Sequence, residues 1–320
     1  MELQPIQNPE EQQHPRYQRQ FASKLVVCGL WLISFLPLPI VSLIGYGFGW
    51  LLYALGRGKV VDRNLLLCFP DWTAKQRKSV AKSHFQRLAR SFVELGVLCW
   101  QKKSRITDSV EIIDFHHLSK FEGKPVILLT PHFIGMNYGG AAVGEKVDVL
   151  AMYSANKDAV LDEVLRKARS RFGNPDLISK QQGIRTILRA LKTCKPLVYL
   201  PDLDFGAKDS VFVPFFGIPA ATITATSRLA KASGAAVIPM VIRQREWNKG
   251  YEVRFFEAWE HFPSGDEVAD AIRMNQFIEE RIKEMPDQYY WVHRRFGSRQ
   301  PGTQNLYKQL KDKHYIPPKG

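Results

Sequence analysis

The chain has 320 residues, 45% hydrophobic and 24% charged, a globular composition with enough apolar material for one large α/β domain or two small ones. Lys and Arg number 45 against 31 Asp and Glu, a formal charge of +14, which favours anionic partners: nucleic acid, an acidic protein or phospholipid headgroups. The four cysteines (Cys28, Cys68, Cys99 and Cys194) lie far apart without CxxC or metal-like spacing, so they are expected to be reduced thiols.

Residues 1–20 are rich in Gln, Pro and charge and are expected to form a disordered tail. Residues 21–57 follow as a membrane-anchoring segment, because 25–56 contain no charged residue at all. About 20 apolar residues cross a bilayer as a helix, so one span is possible. Pro37 and Pro39 interrupt the run and equally permit a bent span or a shallow hairpin. Basic residues (Arg57, Lys59, Arg63, Lys75, Arg77 and Lys78) come next, which places the rest of the chain on the cytoplasmic side.

Residues 75–101 carry Val80, Phe85, Leu88, Phe92, Leu95 and Leu98 on one helical stripe, opposite a basic face. Beyond residue 110 short apolar runs at 126–130, 147–153, 196–201, 235–242 and 251–256 read as strands. Helical patterns near 157–172, 181–193, 222–233 and 266–285 alternate with them. This order predicts a single α/β domain over 58–300 with a mostly parallel central sheet flanked by helices. Residues 301–320 read as a polar tail.

In open α/β sheets, sites form at the carboxyl ends of strands. His132 stands just past the strand at 126–130, and Asp202 and Asp204 just past the one at 196–201. Arg166, Arg169 and Arg171 cluster at a predicted helix end. A second His-Phe pair, His84-Phe85, falls within the basic helix and reads as a surface or packing histidine. The bland alternatives for the others are turn capping for the aspartates and a solvated helix end for the arginines. No Walker loop, GxGxxG, nucleophile elbow or HExxH motif occurs, and no aromatic-interleaved basic motif supports nucleic-acid binding.

Taken together, several blocks resemble the lauroyl/myristoyl lipid A biosynthesis acyltransferases, a branch of the glycerolipid acyltransferase superfamily. The histidine, four residues, then acid motif of that family falls on His132 and Asn137, with an amide where the acid is usual. ARSR at 168–171 is similar to the family's arginine block, with Arg169 at the position of interest. Residues 199–224 resemble its longest shared block, including Asp202, and QYYWVHRRF at 288–296 its C-terminal signature. NLLLCFPDWT at 64–73 is also similar, so the likeness runs from about 22 to 300.

The resemblance implies an inner-membrane enzyme with its catalytic domain facing the cytoplasm. It would transfer a fatty acyl chain from acyl carrier protein to a hydroxyl of a lipid A precursor, without metal or cofactor. Acyl carrier proteins are acidic and lipid A precursors carry phosphates, so a basic enzyme suits both. His132 is the expected general base, with Asn137 orienting it through the amide oxygen. Glu145 is a nearby carboxylate that could replace the missing acid. Arg169 and Asp202, with Arg171 and Asp204 beside them, are expected to position substrate or hold the loop. Two alternatives stay open: another acceptor, such as a lysophospholipid or an amino-acid lipid, and a catalytically silent relative that binds lipid or acyl carrier protein.

Overall fold

The computed structural model describes residues 16–153, 158–173, 175–179, 183–246 and 249–310. Most of the predicted N-terminal tail and the last ten residues lie outside these. Helices α1 (Arg16–Ser34) and α2 (Leu38–Leu52) divide the uncharged segment at Pro37. A π-helical turn at Tyr53–Arg57 leads to α3 (Lys59–Cys68), α4 (Ala74–Val93), α5 (Leu95–Trp100) and α6 (Lys103–Thr107). The chain then alternates through β1 (Val110–Ile113), α7 (His116–Ser119), β2 (Val126–Leu129), α8 (Met136–Gly144), β3 (Leu150–Tyr153) and α9 (Ala159–Ser170). It continues through β4 (Asp176–Ser179), α10 (Gly183–Leu191), β5 (Leu197–Tyr199), β6 (Ser210–Phe215), β7 (Ile218–Ile223) and α11 (Ala225–Ser233). The last elements are β8 (Ala236–Gln244), β9 (Tyr251–Phe255), α12 (Glu267–Glu284) and α13 (Leu306–Gln309).

Seven strands form one sheet in the order β1-β9-β8-β2-β5-β3-β4. Strands β8, β2, β5, β3 and β4 are parallel, whereas β9 runs antiparallel to β8 and carries β1 parallel beside it. The sheet is therefore mostly parallel and flanked by helices, as the alternation implies. The apolar run of β2 explains its central place. Ile127 and Leu129 enter one core layer, Val126 and Leu128 the layer on the other face, and all four are buried. A strand covered on both sides needs no polar alternation.

The hairpin β6–β7 is an addition that the sequence pattern hides. Its two-residue turn, Phe216-Gly217, has positive φ at both positions (51° and 74°), where Asn-Gly or Asp-Gly is the recognisable signal. Pro214 faces Pro219 across the pair, a residue that ordinarily argues against a strand. Residues 301–310 also depart from expectation. Leu306 and Tyr307 are buried, and the Tyr307 hydroxyl donates to Asn64 Oδ1.

The basic helix α4 begins with a capping box. Thr73 Oγ1 accepts from the Gln76 N–H, and the Gln76 side chain accepts from the Thr73 N–H. Within it His84 is wholly buried, which decides between its two readings: it is a packing residue. Its Nδ1–H donates to the Asp287 carbonyl at 3.2 Å, while Nε2 is buried with no hydrogen-bond partner among the described residues. Burial pushes its pKa down from 6.5 to about 4 despite the Asp287 carbonyl and carboxylate. A histidine that folds neutral contributes stability that is complete above pH 6.5 and lost as pH falls through about 4. At about 1.4 kcal/mol per pH unit this amounts to roughly 3 kcal/mol. Thermal unfolding in detergent from pH 7.5 to 4 should therefore steepen toward acid in the wild type and less so in His84→Gln. Parallel profiles would remove His84 as the cause.

Candidate active site

Strands β2 and β5 are neighbours in parallel register, with Leu129 opposite Tyr199. His132 lies three residues beyond Leu129, and Asp202 three residues beyond Tyr199. The register thus delivers both side chains to one edge of the sheet, and they meet. His132 Nδ1 is 2.7 Å from Asp202 Oδ1, and the His132 backbone N–H donates to Asp202 Oδ2 at 2.9 Å. Asp202 is fully buried, whereas the His132 side chain keeps 15% of its surface exposed. Burial alone would raise the Asp202 carboxyl, but the His132 charge and its two hydrogen bonds more than offset this and hold it below the ordinary carboxylate range. An ionised Asp202 fixes the tautomer: Nδ1 carries the proton, and the lone pair belongs to Nε2.

This corrects the expected role of Asn137. It does not hold the ring at Nδ1, because that nitrogen is taken by Asp202. Asn137 sits in the first turn of α8, and its Oδ1 accepts from Arg169 Nε at 3.3 Å. The structure thus brings His132 to Asp202 and Asn137 to Arg169. Gly135 makes the turn between His132 and α8, with φ 98°, and a Cβ there would lie 2.5 Å from the Tyr251 ring. Only glycine satisfies both limits.

Glu145 is not the substitute carboxylate. It caps the opposite end of α8 and accepts from Lys103 Nζ at 2.7 Å and from the Gly173 N–H at 3.0 Å. Arg171 is also placed apart. Its guanidinium donates to the Leu98 and Gln101 carbonyls at 2.5 and 2.6 Å, at the C-terminal end of α5, where a cation is favourable. Asp204 holds a loop: its Oδ1 accepts from the Gly206 N–H at 2.9 Å, its Oδ2 from Ser298 N–H at 2.5 Å, and its own N–H donates to His293 Nε2 at 3.0 Å.

Residues 288–296 act as a strap on the histidine loop. Phe133 pairs with Tyr289, the Ile134 N–H donates to the Gln288 carbonyl at 2.7 Å, and the Tyr290 N–H to the His132 carbonyl at 3.0 Å. The Tyr289 hydroxyl donates to the Asp202 carbonyl at 3.1 Å, so two neighbouring strap residues between them hold both halves of the pair. Tyr290 is 37% exposed, its ring centre 6.2 Å from that of His132, and so forms one wall of the site. Tyr289 and Tyr290 were not candidates from the sequence; their signal lay in the C-terminal signature, read there only as a likeness.

A family model described as bacterial lipid A biosynthesis acyltransferase matches residues 8–298. The chain belongs to that family. It is an acyltransferase, similar to the lipid A biosynthesis lauroyltransferase of Escherichia coli K12 (31% identity over 299 residues, 92% of this chain and 96% of that protein). The palmitoleoyltransferase of the same organism is also 31% identical over 299 residues, with the same coverage. A lipid A biosynthesis acyltransferase of Haemophilus influenzae is 32% identical over 270 residues, 82% of this chain and 86% of that protein. For this acyltransferase the matched region contains the histidine, its buried aspartate, the Asn137–Arg169 contact and the whole strap.

Proposed function

We propose that the acyltransferase moves a fatty acyl group from the thioester of an acyl carrier protein to a hydroxyl of a lipid A precursor at the cytoplasmic face of the inner membrane, without metal or cofactor. The observation that carries this reading is the His132–Asp202 pair, in which Asp202 occupies Nδ1 and leaves Nε2 to face the acceptor hydroxyl. As the acceptor oxygen attacks the thioester carbon, Nε2 takes the hydroxyl proton. The new C–O bond forms, the C–S bond breaks, and the proton passes to the departing sulfur, giving an ester and a free thiol. General-base help of this kind is typically worth ~10²–10⁴-fold. Arg169, held through Asn137, offers a cation to the phosphates of the acceptor or to the developing oxyanion. The excess of basic residues suits both an acidic carrier protein and a phosphorylated lipid.

The amide at residue 137 does not count against activity, because the carboxylate that the histidine needs comes from Asp202. Mass spectrometry of total membrane lipids, with and without the gene, tests the acceptor. A lipid A species short of one secondary acyl chain is the expected result. A missing phospholipid or aminolipid would replace the acceptor, and unchanged lipids would mean that the protein is not an acting transferase in that cell.

A further inference from the structure

The helix from Leu38 to Arg57 is long and apolar enough to cross a membrane by length and composition. A spanning helix in hydrocarbon must be surrounded by lipid or by other apolar spans. Here α2 is docked along α4 instead. A Cβ on Gly45 would lie 2.4 Å from Arg90 Cα, and one on Gly49 would lie 2.3 Å from the Phe85 carbonyl oxygen, so the two backbones touch. Ser42 Oγ donates to Glu94 Oε1 at 3.1 Å, and Glu94 is ion-paired with Arg90 at 2.8 Å. From Ser42 to Gly49 the helix therefore runs beside buried charges, next to an α4 that also exposes Lys75, Lys78 and Lys82.

Helix α1 is docked as well. A Cβ on Gly96 of α5 would lie 2.2 Å from the Leu30 carbonyl oxygen. Ser23 Oγ donates to Asp158 Oδ2 at 2.5 Å, and Arg105 donates to the carbonyls of Ser34 and Leu36 at the break between the helices. A cavity of about 390 Å³ lies under that break, lined by Leu38, Ser42, Arg90, Glu94, Arg105 and Lys249 among others. So charged a cavity belongs at the level of water and headgroups.

The outward faces are the reverse. On α1, Phe21, Leu25 and Leu32 stand exposed at helical spacing, with Phe35 just past its end, and beyond Pro37 so do Ile40, Leu43, Leu51 and Leu55, with Trp31 and Trp50 beside them. Apolar residues with exposed tryptophans match the acyl–headgroup boundary. Across 16–93 there are only two acids, Asp62 and Asp71, against twelve Lys and Arg, which complements anionic lipid and repels a second copy of this chain.

We infer that residues 16–57 form a bent helical pair that lies in one leaflet of an anionic bilayer without crossing it, its inner faces fixed to the catalytic domain. This rests on the membrane attachment proposed above. The test uses the full chain with an epitope tag at each terminus, probed by protease in spheroplasts and in inside-out vesicles. Both tags should survive in spheroplasts and both should be lost in inside-out vesicles. Loss of one tag in spheroplasts while the other survives would show a crossing and overturn the inference. A separate arm tests the attachment itself: retention of the protein on membranes in high salt and release by detergent is expected. Release by salt alone would sink the attachment reading instead.

Discussion

His132→Ala should reduce acyl transfer by ~10²–10⁴-fold, the usual worth of a positioned general base. The substitution removes Nε2, the nitrogen proposed to receive the acceptor proton, and leaves Asp202 buried beside an empty position. A buried carboxylate without its partner costs stability, so transfer must be compared at equal folded protein, judged by unfolding in detergent. Acyl transfer from acyl carrier protein to a lipid A precursor is the readout. Wild-type rates in this variant would remove His132 from the mechanism, whatever the family.

The second large effect separates Asp202 from Asn137. Asp202→Asn keeps the shape but deletes the charge that fixes the Nδ1–H tautomer and stabilises the imidazolium as it forms. In the serine-protease triad the corresponding change lowers kcat by ~10⁴, and a loss approaching that size is expected here. Asn137 touches Arg169 rather than Nδ1 of the ring, so Asn137→Ala should act mainly on acceptor KM and cost far less in kcat. Asn137→Asp turns the contact into an ion pair with Arg169 and should keep substantial activity. If Asn137→Ala lowers kcat as much as Asp202→Asn does, the assignment of the histidine's partner is wrong.

The positions of His132 and Asp202 were legible in the sequence because both follow apolar runs that announce strand ends. Their pairing was not. A motif read along the chain joins His132 to its local neighbour Asn137, whereas the sheet joins it to a residue 70 positions away through the β2–β5 register. The equal offset of three residues beyond each strand was a usable clue, once the two strands were taken as adjacent. The arginine block was half legible. Arg169 and Arg171 look alike in the sequence, but only Arg169 reaches Asn137, since Arg171 on the neighbouring turn caps α5. The hairpin at 210–223 escaped because its turn uses a phenylalanine where the usual marker is Asn or Asp. Helix α8 escaped because Gly139, Gly140 and Gly144 weaken any helical pattern, although Gly139 and Gly144 are needed for close packing against Ile242 and Phe172.

The strap has a consequence for the order in which the protein is made. The pair at 16–57 emerges from the ribosome well before Tyr289, which secures the loops of both His132 and Asp202 and follows more than 230 residues later. Between the synthesis of His132 and that of Tyr289 the chain has its apolar surface and its histidine but lacks the piece that secures the histidine loop. The contacts that tie both loops together can form only once residues 288–290 have been made.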